Sequence, residues 1–518
     1  MARLKTNKRI GQLFCLFFFF PISIVMGQTQ LGKLEPYRPA IHFTPKEHWM
    51  NDPNGLVYYG GNYHLFYQYY PGGTVWGPMH WGHAVSKDLL HWEHLPIALF
   101  PDSLGYIFSG SVVVDHLNTA GLQEGKEKTL IAIYTYHDPK GEKAGTSTFQ
   151  TQGMAYSNDA GFTWKKYTNN PVLNNPGKKD FRDPKVSWYA KEKKWIMTLA
   201  VGNHVEFYSS SNLKAWTYLS RFGEKEGAHG GVWECPDLIK MQDASSGKEA
   251  WVLLVSIGNG GPNGGSATQY FTGTFNGKTF LNKEKPEMVK WVDQGTDNYA
   301  GVTYFDAPGK HPIFIGWMSN WQYAQQVPTH PWRSAMTIPR ELTLIKNSKG
   351  SHLLSQPIKQ FTGLLEMDSS QQVKDTISLS DAAYTMQVDA DLVSTDVNEN
   401  IQLIQWNNKW GDTLSLQYNP ATSEIILNRL QSGPGDFNPS FNRIIRGKRI
   451  QANGRLSLQL IVDRSSIEIF ADNGSLVITS LFFPSKPYQW VRVTSTSSII
   501  NAISAKYRVI KPILQSAN

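Results

Sequence analysis

The phrase Ser86-Lys87-Asp88-Leu89-Leu90-His91-Trp92 returns as Ser210-Ser211-Asn212-Leu213-Lys214-Ala215-Trp216, and this recurrence constrains the fold more than any other feature of the chain. A looser copy runs from Ser157-Asn158-Asp159 to Trp164, and a degenerate one from Thr272 to Phe280. Between residues 36 and 345 no strong helical period competes with this pattern of short strands and turns. Opening phrases lie upstream of the closing ones: Asn51-Asp52-Pro53, Phe108-Ser109-Gly110-Ser111, Arg182-Asp183-Pro184, Glu234-Cys235-Pro236-Asp237 and Asp297-Asn298-Tyr299-Ala300. Repeats that each hold several short strands mark propeller blades, and five openings imply five blades. The first blade starts with a hairpin, Leu56-Val57-Tyr58-Tyr59 and Tyr63-His64-Leu65-Phe66-Tyr67 about a Gly60-Gly61-Asn62 turn.

The last third reads differently. Beyond Pro339-Arg340-Glu341-Leu342 and a polar stretch from Lys346 to Ser351, Trp becomes rare while Ser, Ile and Val rise. Leu456, Leu458 and Leu460 alternate with polar residues, and Ser466-Ile467-Glu468-Ile469-Phe470 runs into Asp472-Asn473-Gly474, a hairpin signal. The expected architecture is all-β: a five-bladed β-propeller over residues 36–345, then a β-sandwich over residues 355–518. Composition agrees, since 44 Gly and 28 Pro supply turns and 17 Trp put rings in cores or clefts.

Arg3, Lys5, Lys8 and Arg9 precede an apolar run from Leu13 to Met26, and Val25-Met26-Gly27 offers a cleavage point. Residues 1–27 are therefore expected to be a secretory signal, the run being shorter than the roughly 20 residues of a membrane span. An uncleaved anchor is the alternative. The expected mature chain has no membrane span and is exported, to the periplasm or outside the cell. Cleavage removes four basic residues and no acidic ones, so a net charge of +8 becomes +4 and gives no reason to expect nucleic acid as a partner. Only Cys235 remains, so no intrachain disulfide can form.

First strands of propeller blades line the central channel, so blade openings converge. Asp52, Asp183 and Glu234 hold equivalent places in their blades and are expected to meet. Taken singly, Asn51-Asp52-Pro53-Asn54-Gly55 reads as a turn. Three acids at one repeat position, shared with Ser109 and Asp297, point instead to a carbohydrate-cleaving site. Two carboxyl groups flanking a glycosidic bond are the minimum equipment: one attacks or directs water, and the other protonates the leaving oxygen. A retaining site holds the pair about 5–5.5 Å apart and an inverting one about 6.5–9.5 Å. Arg182 can fix a hydroxyl or offset charge, while Asp297 suits a structural or binding role. No metal or cofactor is expected. His80 and His83 fall on opposite faces of a strand, no Cys/His spacing suggests zinc, and Gly258-Asn259-Gly260-Gly261 reads as a wide loop, not a dinucleotide fingerprint.

Six motifs occur in order: Trp49-Met50-Asn51-Asp52-Pro53-Asn54-Gly55, Phe66-Tyr67-Gln68-Tyr69, Trp81-Gly82-His83-Ala84, Phe108-Ser109-Gly110-Ser111, Phe181-Arg182-Asp183-Pro184 and Trp233-Glu234-Cys235-Pro236-Asp237. Together they closely resemble glycoside hydrolase family 32, which holds the invertases, inulinases, levanases and fructan β-fructosidases. Asp463-Arg464-Ser465-Ser466-Ile467-Glu468-Ile469-Phe470 and Phe482-Phe483-Pro484 resemble that family's sandwich. The resemblance implies a five-bladed propeller with a β-sandwich behind it, and a fructan or fructo-oligosaccharide substrate. It implies Asp52 as nucleophile, Glu234 as acid/base, and Asp183, helped by Arg182, as the group that holds the fructosyl hydroxyls. Asn51, Gln68, Trp76, Phe108, Ser109 and Trp317 match positions lining the pocket for the terminal fructose. The chain departs from the pattern where Tyr70, in place of Asn, precedes Pro71 at the pocket rim, which bears on the leaving group.

The implied reaction is retaining hydrolysis that releases fructose from β-fructofuranosides, exo-acting on levan or inulin and extending to sucrose. An endo-acting levanase or inulinase, fructosyl transfer by the same residues, an arabinan- or xylan-cleaving hydrolase and a non-catalytic fructan-binding surface protein are the alternatives.

Overall fold

The closing phrase is a side-chain-built turn. Ser86 Oγ accepts from the Asp88 and Leu89 amides at 3.2 and 2.8 Å, and Asp88 Oδ1 accepts from the Leu90 and His91 amides at 2.9 and 2.8 Å. Ser210 and Asn212 repeat the arrangement on Asn212, Leu213, Lys214 and Ala215. Ser157 and Asp159 make a longer version reaching Gly161 and Thr163. These hydroxyls and amide or carboxylate oxygens satisfy backbone donors that leave a strand, which is why such residues recur there. Each phrase joins the third strand of a sheet to the fourth, and the buried Leu89 and Leu213 anchor it.

The computed structural model describes residues 35–365, 370–379, 383–392, 400–450, 454–494 and 500–513, and residues 1–27, the expected export signal, lie outside these. The described residues from Tyr37 onward form one unit. Among the described residues the fold is all-β, with two short helical segments, Pro139–Lys143 and Lys359–Leu364. Five sheets of four or five strands come first, followed by two of six. The five begin with His48–Tyr59, Tyr106–Val114, Phe181–Tyr189, Trp233–Gln242 and Tyr299–Thr303. These first strands touch in chain order, and the fifth touches the first, so they close a ring.

The ring is held by an apolar core between each neighbouring pair of sheets. Phe66, Trp81 and Val112 fill the first, Ile131, Met154 and Val186 the second, and Phe207, Leu253 and Phe271 the third. Val252, Phe314 and Leu342 fill the fourth; Leu65, Trp49 and Ile315 complete the circle. Sheets covered on both faces need strands apolar on both sides, and Leu130–His137 is buried at all eight positions. Each fully buried Leu, Ile or Phe contributes about 1.5–3 kcal/mol. Outer strands are less enclosed: Thr217–Phe222 buries only its last residue.

The polar stretch around residues 346–351 makes the tight turn of a hairpin, Arg340–Asn347 with Gly350–Pro357, so the fifth sheet runs on to Pro357. Beyond it, two six-stranded sheets enclose a core of their own, with Trp406, Leu416, Leu458 and Ile478. His80 and His83 are split as expected: His80 Nδ1 lies 2.9 Å from Pro78 O, and His83 is buried 3.0 Å from His64 Nδ1.

Candidate active site

Every first strand is interrupted where its opening phrase falls. Pairing with the neighbouring strand shifts between Met50 and Pro53, Ile107 and Gly110, Glu234 and Asp237, and Tyr299 and Val302. In the third sheet the shift falls between Arg182 and Lys185. A β-bulge leaves residues unpaired and re-aims their side chains. Here it does so at the same end of five adjacent strands. Asp183 and Cys235 take positive φ of 63° and 45° there. Pro53, Pro184 and Pro236 stand beside the bulges, where a missing N–H costs no ladder bond.

The bulges bring the three expected acids together. Ser109 Oγ donates to Asp52 Oδ2 at 2.6 Å, and Asn51 Nδ2 donates to Asp52 Oδ1 at 3.0 Å. Asn51 is itself fixed by Trp49 Nε1 at 2.7 Å. The Cys235 amide donates to Asp183 Oδ2 at 3.1 Å, and its thiol stands 3.5 Å from Asp52 and 3.7 Å from Asp183. Arg182 holds Glu234 Oε1 through Nε and Nη2 at 3.2 and 2.9 Å, and Asp180 through Nη1 at 2.7 Å. The Tyr299 hydroxyl donates to Glu234 Oε2.

Burial raises the Asp52 carboxyl above its ordinary range, the Ser109 hydrogen bond opposes that, and the charge of Glu234 adds to it. Burial likewise raises Asp183, to about 7; Arg182 pulls it down, but Glu234 and Asp52 push it further up. Burial works against the Arg182 cation, yet Glu234, Asp183 and Asp180 outweigh it, and the guanidinium stays charged. The site thus packs three carboxyl groups round one cation, and its protons are shared by neighbours that cannot all ionise freely.

The remaining expected residues fall in two groups. Trp76, Arg182 and Glu234 line an open cleft of ≈ 430 Å³ together with Trp321 and Gln325. Trp76 is half-exposed and meets Phe108 edge-on at 6.0 Å, while Phe108 stacks on His137 at 4.2 Å. Gln68 and Trp317 are buried: Gln68 Nε2 donates to Ile107 O at 3.0 Å, and Trp317 Nε1 to Met50 O at 3.1 Å. Both tie down the backbone beside a bulge. The Tyr70 ring lies so close to Gly72 and Gly77 that a Cβ at either would come within 2.5 Å of it, and so braces the loop that carries Trp76.

Sequence reasoning gave no role to Cys235, Tyr299, Trp321 or Gln325. Cys235 and Tyr299 stood inside quoted opening phrases, where their position was signal enough. Trp321 and Gln325 lie in a loop outside the repeat, and nothing in their spacing marks them. Asp297 turns away from the acids: it pairs with Arg429 at 3.0 Å, is fully buried, and accepts from the Tyr323 hydroxyl at 2.6 Å. Asp237 stitches the ring below the site, accepting from the Thr303 amide at 2.7 Å beside Lys185 Nζ at 3.3 Å.

The profile of the glycosyl hydrolases family 32 N-terminal domain matches residues 42–357, and that of the family's C-terminal domain matches residues 355–509. A levanase of Bacillus subtilis (strain 168) is 46% identical over 495 residues, covering 92% of this chain and 71% of that protein. An extracellular exo-inulinase of Aspergillus ficuum is 36% identical, covering 89% and 92% of the two chains. The crystal structure of the exo-inulinase from Aspergillus awamori superposes with a TM-score of 0.84 at 34% identity, covering 92% of this chain and 99% of the other.

Proposed function

This chain belongs to glycosyl hydrolase family 32, and from that premise we propose that it is a retaining β-fructosidase that releases fructose one unit at a time from the ends of fructan chains. The observation that carries the reading is the convergence of Asp52, Asp183 and Glu234, each aimed by a bulge at one end of a closed ring of strands. Named relatives that act on levan and inulin support the substrate class.

Asp52 is the nucleophile in this reading. It attacks the fructosyl C2 and forms a covalent fructosyl-enzyme while Glu234 protonates the leaving oxygen. Glu234 then takes a proton from water, which displaces Asp52 with net retention. Arg182 and Tyr299 donate to opposite oxygens of Glu234 and fix the plane of its carboxyl group. Asp183 and Arg182 hold the sugar hydroxyls, and the Trp76, Trp321 and Gln325 cleft receives the leaving part of the chain. The five sheets, the last of which runs to Pro357, are the blades of a β-propeller, and the two six-stranded sheets that follow are a β-sandwich. Residues 1–27 direct export, in keeping with the extracellular inulinase among the relatives.

Two experiments test this. Asp52→Asn is expected to lower kcat on the order of 10⁴-fold or more, and Glu234→Gln by about 10²–10⁴-fold, with far- and near-ultraviolet circular dichroism unchanged. A folded Asp52→Asn protein with near-normal turnover sinks the assignment. Product analysis is expected to give free fructose and no intermediate oligosaccharides from levan and inulin, and fructose with an equal amount of glucose from sucrose; a ladder of oligosaccharides from either polymer overturns exo action.

A further inference from the structure

The second of the six-stranded sheets carries a feature that hydrolysis does not use. Its strands run in the order Thr376–Ser378, Trp490–Val493, Ile401–Asn407, Thr413–Asn419, Glu424–Gln431 and Ile444–Lys448. Contacts with the ring enter at the last two of these, through Arg429 to Asp297, and through Arg446 and Lys448 to Asn263 and Gln294. The opposite edge is free to do something else.

Alternation sorts that edge into two faces. Val491, Val493, Ile404 and Trp406 pair across strands and are buried in the sandwich core. The positions between them face out: Ser378, Trp490 and Asn407 form one cross-strand row, and Thr376, Arg492 and Gln405 the next. Trp490 is 38% exposed on this face. Trp410, 50% exposed, stands on the turn three residues beyond Asn407. That turn is fixed: the Trp410 amide donates to Asn408 Oδ1 at 2.9 Å, the Lys409 amide to Gln489 Oε1 at 3.2 Å, and Asn408 Nδ2 to Lys486 O at 2.8 Å. Arg492 is paired with Asp375 at 3.1 Å, so the rows carry no net charge.

We propose that this face, anchored by Trp410 and Trp490, is a second carbohydrate-binding surface that takes a neutral polysaccharide, namely a stretch of the fructan whose end is cleaved at the ring. The proposal rests on the fructan reading for its ligand. Two exposed indoles on a pre-set backbone offer flat apolar area at small entropic cost, which suits the C–H faces of sugar rings. The amides and hydroxyls beside them donate to and accept from sugar hydroxyls, and the Lys409 ammonium, 4.6 Å over the Trp410 ring, adds a donor that stays at the solvent edge of the face. A polymer held at two points stays near the cleft between cleavages, which raises the effective concentration of its ends.

The test separates binding from cleavage. Asp52→Asn protein is run in affinity gels cast with levan or with inulin, beside the same protein carrying Trp410→Ala and Trp490→Ala. The double change is expected to weaken retention about 10–100-fold on one of the polymers, about 3–10-fold for each of the two aromatic platforms removed. In the active protein it raises KM for that polymer by the same factor and leaves kcat and sucrose kinetics unchanged. Equal retention on both polymers overturns the proposal. So does a concentration-dependent change of mass in sedimentation, which assigns the face to a second copy of the chain. Absence of fructose release by the unaltered protein counts against the hydrolytic reading alone, because retention is read on the inactive form.

Discussion

At Asp183 the backbone sits at φ 63°, a left-handed conformation that Asp tolerates better than most residues, and the side chain is only 6% exposed. Burial and the charges of Glu234 and Asp52 hold its carboxyl near pH 7, where an ordinary aspartate is fully ionised. The folded protein therefore binds this proton more tightly than the unfolded chain does. Between about pH 4 and pH 7 the unfolded state releases the proton first, so this group's contribution to stability falls as pH rises through that window. Asp183→Asn keeps the shape and removes the charge. It is expected to be more stable than the parent above pH 7 by an amount on the order of 2–4 kcal/mol, with a small difference at pH 4, measured as the shift in Tm across pH. Activity is expected to fall by about 10²-fold or more, because the carboxylate that holds the fructosyl hydroxyls is gone. A Tm difference that does not change with pH means the cluster is not electrostatically strained.

The bulges act at the scale of the strand, and Gly55 shows how tightly one is enclosed. Its φ is 55°, and a Cβ there would come within 2.6 Å of the Phe66 ring and 2.9 Å of Val112 Cγ2. Gly55→Ala is expected to cost about 2–4 kcal/mol in chemical denaturation and to lower activity, since the strand that aims Asp52 must shift. Gly60, at φ 57° with open space around it, is the control: Gly60→Ala costs about 1–2 kcal/mol and spares activity. The position of these bulges was half legible. Asp-Pro and Cys-Pro at strand starts, repeated round the chain, marked places where a ladder fails, and the three acids were found from that position alone. The direction in which each bulge turns a side chain depends on strand pairing, which the sequence does not display. For that reason the hydrogen bonds of Trp317 and Gln68 to the backbone beside two bulges were not foreseen, and Trp321 and Gln325, on an unrepeated loop, were not picked out at all. The closing phrases were the most legible element, because the side chains that make the turn are the repeat itself.

At the scale of the molecule, the ring and the sandwich share a buried polar seam. His42 lies between Asp463 Oδ2 at 2.8 Å and Glu468 Oε1 at 3.0 Å. Arg340 reaches Glu468 at 2.5 Å and Asp293 at 2.9 Å, and Asp293 accepts from the Thr479 amide at 2.9 Å. His42, Arg340 and Glu468 are fully buried, so no water compensates a lost partner. The phrase from Asp463 to Phe470, legible as a sandwich signature, supplies two of these carboxylates, although no spacing or motif marks His42 and Arg340 as their partners. Burial alone pushes the His42 imidazole down, but the hydrogen bonds and charges of Asp463 and Glu468 raise it to about 9. A histidine raised in the folded state stabilises fully below its ordinary value near 6.5, and that stabilisation disappears as pH climbs to about 9. The seam is therefore expected to lose on the order of 3 kcal/mol between those limits, seen as a falling Tm. His42→Gln is expected to be less stable than the parent at pH 6 and to have a flatter Tm profile, so that the two curves approach each other by pH 9. Parallel curves across the window mean that His42 carries no added proton in the seam, and that Arg340 is the cation that offsets the Glu468 and Asp293 carboxylates there.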